Sequence, residues 1–73
     1  MLLTMLEPGA VARIRAISAD AAVALRLREM GLRPGTRVRL AGRGAAGARV
    51  VAIGATRIAI DRGTSGLIEV EPA

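Results

Sequence analysis

The sequence contains no cysteine, no histidine, no lysine and no aromatic residue. Without cysteine there is no disulfide framework. Zinc, iron and copper sites rest on thiolate or imidazole ligands, so with only six scattered carboxylates as charged oxygen ligands the composition argues against a dedicated soft-metal centre, and no cofactor is expected. The same absences remove the imidazole general base and the thiolate nucleophile, and an enzyme is not expected. Stacking platforms for single-stranded nucleic acid need aromatic rings, and there are none.

Long apolar runs are also missing. Met1–Leu6 and Val50–Ile53 fall far below the roughly 18–20 residues that span a bilayer. Met1–Leu6 has neither the basic start nor the apolar length of an export signal. The expectation is a cytoplasmic protein that is not embedded in a membrane.

What is present is 73 residues, 52% hydrophobic and 23% charged, enough for a single domain over 1–73. A domain of this size buries only about 60% of its unfolded surface, so contact with a partner or with itself reinforces a marginal core. All eleven basic residues are arginine, and six acids leave a net charge of +5. That field attracts nucleic acid, anionic lipid or an acidic protein face. Arginine in place of lysine, amid abundant alanine and glycine, is also what a GC-rich genome tends to encode.

Turn residues divide the chain at Pro8-Gly9, Gly31, Pro34-Gly35, Gly42 to Gly47, Gly54, Gly63 and Gly66. Between them, a period of two predicts strands over 10–17, 36–40, 49–53, 57–60 and 67–71. Ala12, Ile14 and Ala16 point inward in the first, as do Val38 and Leu40 in the second and Ile68 and Val70 in the last. The third and fourth form a hairpin across Gly54-Ala55-Thr56. Asp20 to Met30 instead places Val23, Leu27 and Met30 at i, i+4 and i+7, a helix capped by Ser18 or Asp20 and stopped by Gly31. Leu25 lies off that stripe, either covered by another part of the domain or exposed. The fold expected is mainly β with one or two short helices, a small SH3-like β-barrel of about five strands.

Three motifs bear on chemistry. The glycine-rich stretch Gly42 to Gly47 is followed by a strand rather than a helix and lacks the lysine of a P-loop, so it reads as a hairpin loop. Thr64 and Ser65 near Asp61 have no base to activate them and read as a turn or helix cap. Arg13, Arg15, Arg37 and Arg39 point outward, and on neighbouring strands they form a stripe able to neutralise phosphates or carboxylates, or simply a solvated face. Arg26 and Glu29 stand three apart on the helix, a spacing that lets them pair.

The stretch Arg26 to Gly35, RLREMGLRPG, followed by Thr36 and Val38, resembles the signature of FeoA domains. Leu3, Leu6, Pro8-Gly9, Ile14 and Ile17 ahead of it, and Ile58, Ile60, Ile68 and Val70 after it, are similar to the family's pattern. The loop 45–49 departs from that pattern in having no proline. The resemblance implies a cytoplasmic SH3-like protein that assists ferrous iron transport by contact with the membrane transporter FeoB. On that reading the contact residues expected are Arg26, Glu29, Leu32 and Arg33 around the helix end, with Arg13, Arg15, Arg37 and Arg39 as a steering surface. Leu27 and Met30 are expected in the core. A small-barrel nucleic-acid binder is the alternative, and self-association through a sheet edge or Leu25 is compatible with either.

Overall fold

The computed structural model describes residues 1–73. Each run of alternating residues becomes a strand: β1 (Val11–Ile17), β2 (Arg37–Arg43), β3 (Arg49–Ile53), β4 (Thr56–Ile60) and β5 (Ile68–Pro72). The helix with a 3.6-residue period, α1 (Ala21–Glu29), separates β1 from β2, and a four-residue helix, α2 (Arg62–Ser65), precedes β5. The strands form one antiparallel sheet in the order β4-β3-β2-β1-β5.

Two bulges bend this sheet. Between β1 and β5 the register passes from Ile14 opposite Val70 to Ala16 opposite Glu69, so β1 carries one extra residue. Beyond the bulge Ile17, opposite Ile68, packs against the core in the place where strict alternation puts Ala16. The second bulge lies at Ala41, between Leu40 opposite Val51 and Gly42 opposite Val50. All five expected strands form, with β2 running on through Gly42 and Arg43 into the stretch expected as a loop, but pairing does not close them into a barrel, and β4 and β5 are the two edges.

The β5 edge is covered by the N-terminal segment. Leu2 bridges Glu69, the Met1 amino group donates to the Val70 carbonyl at 3.1 Å, and the Val70 N–H donates back to Met1 at 2.7 Å. This placement drives Leu3 and Leu6 into the core beside Ile14, Leu40, Ile68 and Val70.

Asp20, rather than Ser18, caps α1, its carboxylate accepting from the Val23 N–H at 2.9 Å. Replacing Asp20 by alanine is expected to cost about 1 kcal/mol, read as a fall of roughly 4–8 °C in Tm. At the other end Gly31 takes φ +96°. Its N–H donates to Arg28 at 2.9 Å, and the Leu32 N–H reaches back to Leu27 at 2.8 Å. These are the paired bonds of a Schellman motif, which brings the side chain after the glycine against the one a turn earlier. Leu32 is therefore 1% exposed and belongs to the core with Leu27. Its expected place on a contact surface is corrected accordingly. Met30, expected in the core, is 41% exposed, and Leu25 is exposed.

The Gly54-Ala55 turn is tighter than the three-residue connection expected, because Thr56 already pairs with Ile53. Positive φ at Gly54 alone fits a type II′ turn, which matches the twist of the strands it joins. In the preceding loop, Gly47 (φ +80°) lies against Arg62, and a Cβ there would stand 2.9 Å from the Arg62 Cδ.

Candidate partner-docking surface

Because β1 and β2 are neighbours, their outward arginines do assemble. Arg13 stands directly opposite Arg37, and Arg39 stands opposite Val11 on one side and Ala52 on the other. Ala52 in turn faces Arg57 of β4. The outer face of the sheet thus carries one row running Val11, Arg39, Ala52, Arg57 and a second running Glu71, Arg13, Arg37. Between them lies a shallow depression of about 370 Å³ walled by Arg37, Arg39, Val11 and Ala52. Directly opposed like charges destabilise a sheet by a few tenths of a kcal/mol, and although Glu71 stands opposite Arg13 on its other side, Arg37 faces only Arg13.

Arg15 has a different setting. It pairs with Glu69 of β5 at 3.5 Å, which offsets its charge. Arg13 donates a long hydrogen bond, 3.4 Å, to the Gly35 carbonyl, and neither Arg37 nor Arg39 makes an ion pair. The open cationic centre is therefore Arg13, Arg37 and Arg39, with Arg57 added. The alternation of Arg57 with Ile58 and Ile60 signals an outward residue, but only the β3–β4 register shows that it continues the row begun by Arg39.

The residues at the helix end do not form one patch. Arg26 lines a groove of about 340 Å³ between α1 and β4, with Val23, Leu27 and Met30 on one wall and Ile60 and Asp61 on the other. Arg33 lies on the opposite flank of α1, in a smaller depression beside Ala24, Arg28 and Pro34. Glu29 is exposed and makes no ion pair with Arg26, contrary to the expected pairing. Met30 lies exposed along this groove. Helical periodicity identifies the face but not what covers it.

Thr64 and Ser65 serve the structure, as their setting in the sequence suggests. Asp61 caps α2, accepting from the Thr64 N–H at 2.7 Å and from its hydroxyl at 3.1 Å, and the buried Ser65 hydroxyl donates to the Ile60 carbonyl at 3.2 Å. The two Thr64 bonds, the one from its N–H foremost, hold the Asp61 carboxyl below its ordinary 3.8. A lowered carboxylate pKa contributes stability that is complete above the unfolded value and is lost as pH falls through the folded one. An acid titration of thermal stability is therefore expected to fall less steeply below pH 3.8 for Asp61→Asn than for the parent. No helix is long and apolar enough to cross a membrane, and no three His, Cys, Asp or Glu side chains come together.

A small SH3-like domain with an open arginine face on its sheet is the class that this fold and surface define. The FeoA domain family matches residues 1–72, and the chain belongs to that family. Iron(II) transport protein A from Clostridium thermocellum is 31% identical, with a TM-score of 0.90 over the whole of this chain and 46% of that one. FeoA of Stenotrophomonas maltophilia, solved with zinc and described as a prokaryotic SH3 domain protein, is 30% identical with a TM-score of 0.81 over 97% of this chain and 89% of that one. A manganese-dependent transcriptional repressor, 23% identical, shares the fold over 41% of its length with a TM-score of 0.86. None of the curated protein sequences compared with the chain matches it.

Proposed function

We propose that this protein is a cytoplasmic accessory factor of ferrous iron transport that acts by docking on the cytoplasmic part of FeoB, without catalysis of its own. The observation that carries this reading is the Arg13–Arg37 pair beside Arg39, a like-charge cluster that costs the sheet stability and has no carboxylate within ion-pair distance. A cluster of that kind suits an acidic protein face, where complementary charge speeds encounter and sets orientation. Family membership supplies the transport context.

The test is calorimetric titration of the chain into the soluble GTPase portion of FeoB and, separately, into detergent-solubilised whole FeoB, each at two salt concentrations. Saturable heat that weakens with salt is the expected result. Absence of heat with either form of FeoB, alongside salt-sensitive binding to duplex DNA, would move the arginine face to nucleic acid.

A further inference from the structure

The two edges of the sheet are treated differently. The β5 edge carries the N-terminal segment, ends in Pro72 and bears Glu69 and Glu71. The β4 edge has none of these protections: no proline, no bulge in its register with β3, and a single charge at Arg57. A two-residue hairpin closes on a hydrogen-bonded pair, here Ile53 with Thr56, and such pairs alternate along an antiparallel ladder. Val51–Ile58 and Arg49–Ile60 are then the other bonded pairs, and Arg57 and Ala59 direct their N–H and C=O groups away from the sheet.

The side chains on this edge are self-complementary. Arg57, Ala59 and Asp61 follow one another at intervals of two on the outer face, and Asp61 still has extended backbone at φ −61° and ψ 163°. An antiparallel two-fold centred on Ala59 sets Arg57 of each copy opposite Asp61 of the other, and Ile58 opposite Ile60 on the inner face. The small Ala59 meets itself at the centre. Shifting the centre to Ile58 would place Arg57 opposite Ala59 and leave both ion pairs unmade.

We propose that a second copy of this chain adds to the β4 edge about a two-fold axis at Ala59, joining two sheets into one through backbone bonds and reciprocal Arg57–Asp61 pairs. The interface is isologous, so it closes at the dimer. Ile60 of each copy lines the groove beside α1, and Ile58 of the other copy sits at its mouth. The inference does not rest on docking to FeoB: Arg57 also belongs to the arginine face, but its test follows the chain alone, with no FeoB present.

Sedimentation equilibrium of the whole chain from micromolar to millimolar concentration tests it, with far-UV circular dichroism confirming that each variant folds. A monomer–dimer equilibrium with no larger species is expected. Arg57→Glu turns two attractive cross-strand pairs into repulsive ones and is expected to weaken the dimer by about tenfold or more. Asp61→Asn retains the helix cap, removes the charge, and weakens it less. Ala59→Pro removes an outward N–H that the β3 ladder does not use, and is expected to abolish dimerisation. If Ala59→Pro fails to fold, Arg57→Glu, on an exposed face, decides the matter alone. A monomer at every concentration, growth beyond the dimer, or a dimer indifferent to Arg57→Glu would each overturn the proposal.

Discussion

Leu32→Ala is expected to lower the free energy of unfolding by about 2–5 kcal/mol, because the residue lies in a packed core and its truncation leaves a cavity against Leu27. A chain of this length has only on the order of 4–11 kcal/mol in total, at roughly 0.05–0.15 kcal/mol per residue. The loss is a large fraction of that total, and the variant is expected to unfold at a markedly lower urea concentration than the parent. Met30→Ala, two residues earlier and exposed, is expected to change stability by about 0.5 kcal/mol or less. Urea titration followed by far-UV circular dichroism measures both, since no aromatic residue supplies fluorescence. A Leu32→Ala variant within about 1 kcal/mol of the parent would contradict its place in the Schellman motif. The contrast also bears on docking, for a loss of FeoB binding in Leu32→Ala reports unfolding rather than a lost contact.

Reversing two charges, Arg37→Glu with Arg39→Glu, should separate binding from stability in the opposite sense. Arg37 faces Arg13 across the β1–β2 ladder, so a carboxylate at that position replaces a repulsive pair with an attractive one, worth about 0.2–1 kcal/mol in favour of the fold. Affinity for FeoB is nevertheless expected to fall by about tenfold or more at low salt, mainly through the association rate. The gap between parent and variant should narrow as salt is raised, because screening shortens the reach of the arginine face to about 8 Å at physiological ionic strength. Stopped-flow association together with thermal denaturation checks both halves. Unchanged binding by a fully folded variant would remove this face from the interface.

The strands and α1 were legible because their residues repeat at two and at 3.6, and the structure follows those periods closely. What escaped is non-local or sits where the period breaks. Ile17 replaces Ala16 in the core because of a bulge, which alternation cannot anticipate. Leu32 follows the glycine that ends α1, where periodicity has lapsed and only the cap geometry sends the side chain inward. The site was partly legible: Arg13, Arg37 and Arg39 come together because β1 and β2 are adjacent, whereas Arg26 and Arg33 are parted by the width of a helix. Arg57 enters the row only through a hairpin register that side-chain pattern does not specify.

The position of β1 between β2 and β5 has a kinetic consequence. Its partner β5 lies at the far end of the chain, with Ile14 paired to Val70, while β3 and β4 meet across two residues. The hairpin can form in microseconds, but β1 stays half-paired until a loop spanning most of the chain has closed. Topologies dominated by such distant pairings fold in milliseconds to seconds. Throughout that interval the apolar side of β1 has no β5 beside it, and crowding during the wait, more than any weakness of the finished sheet, sets the hazard of aggregation.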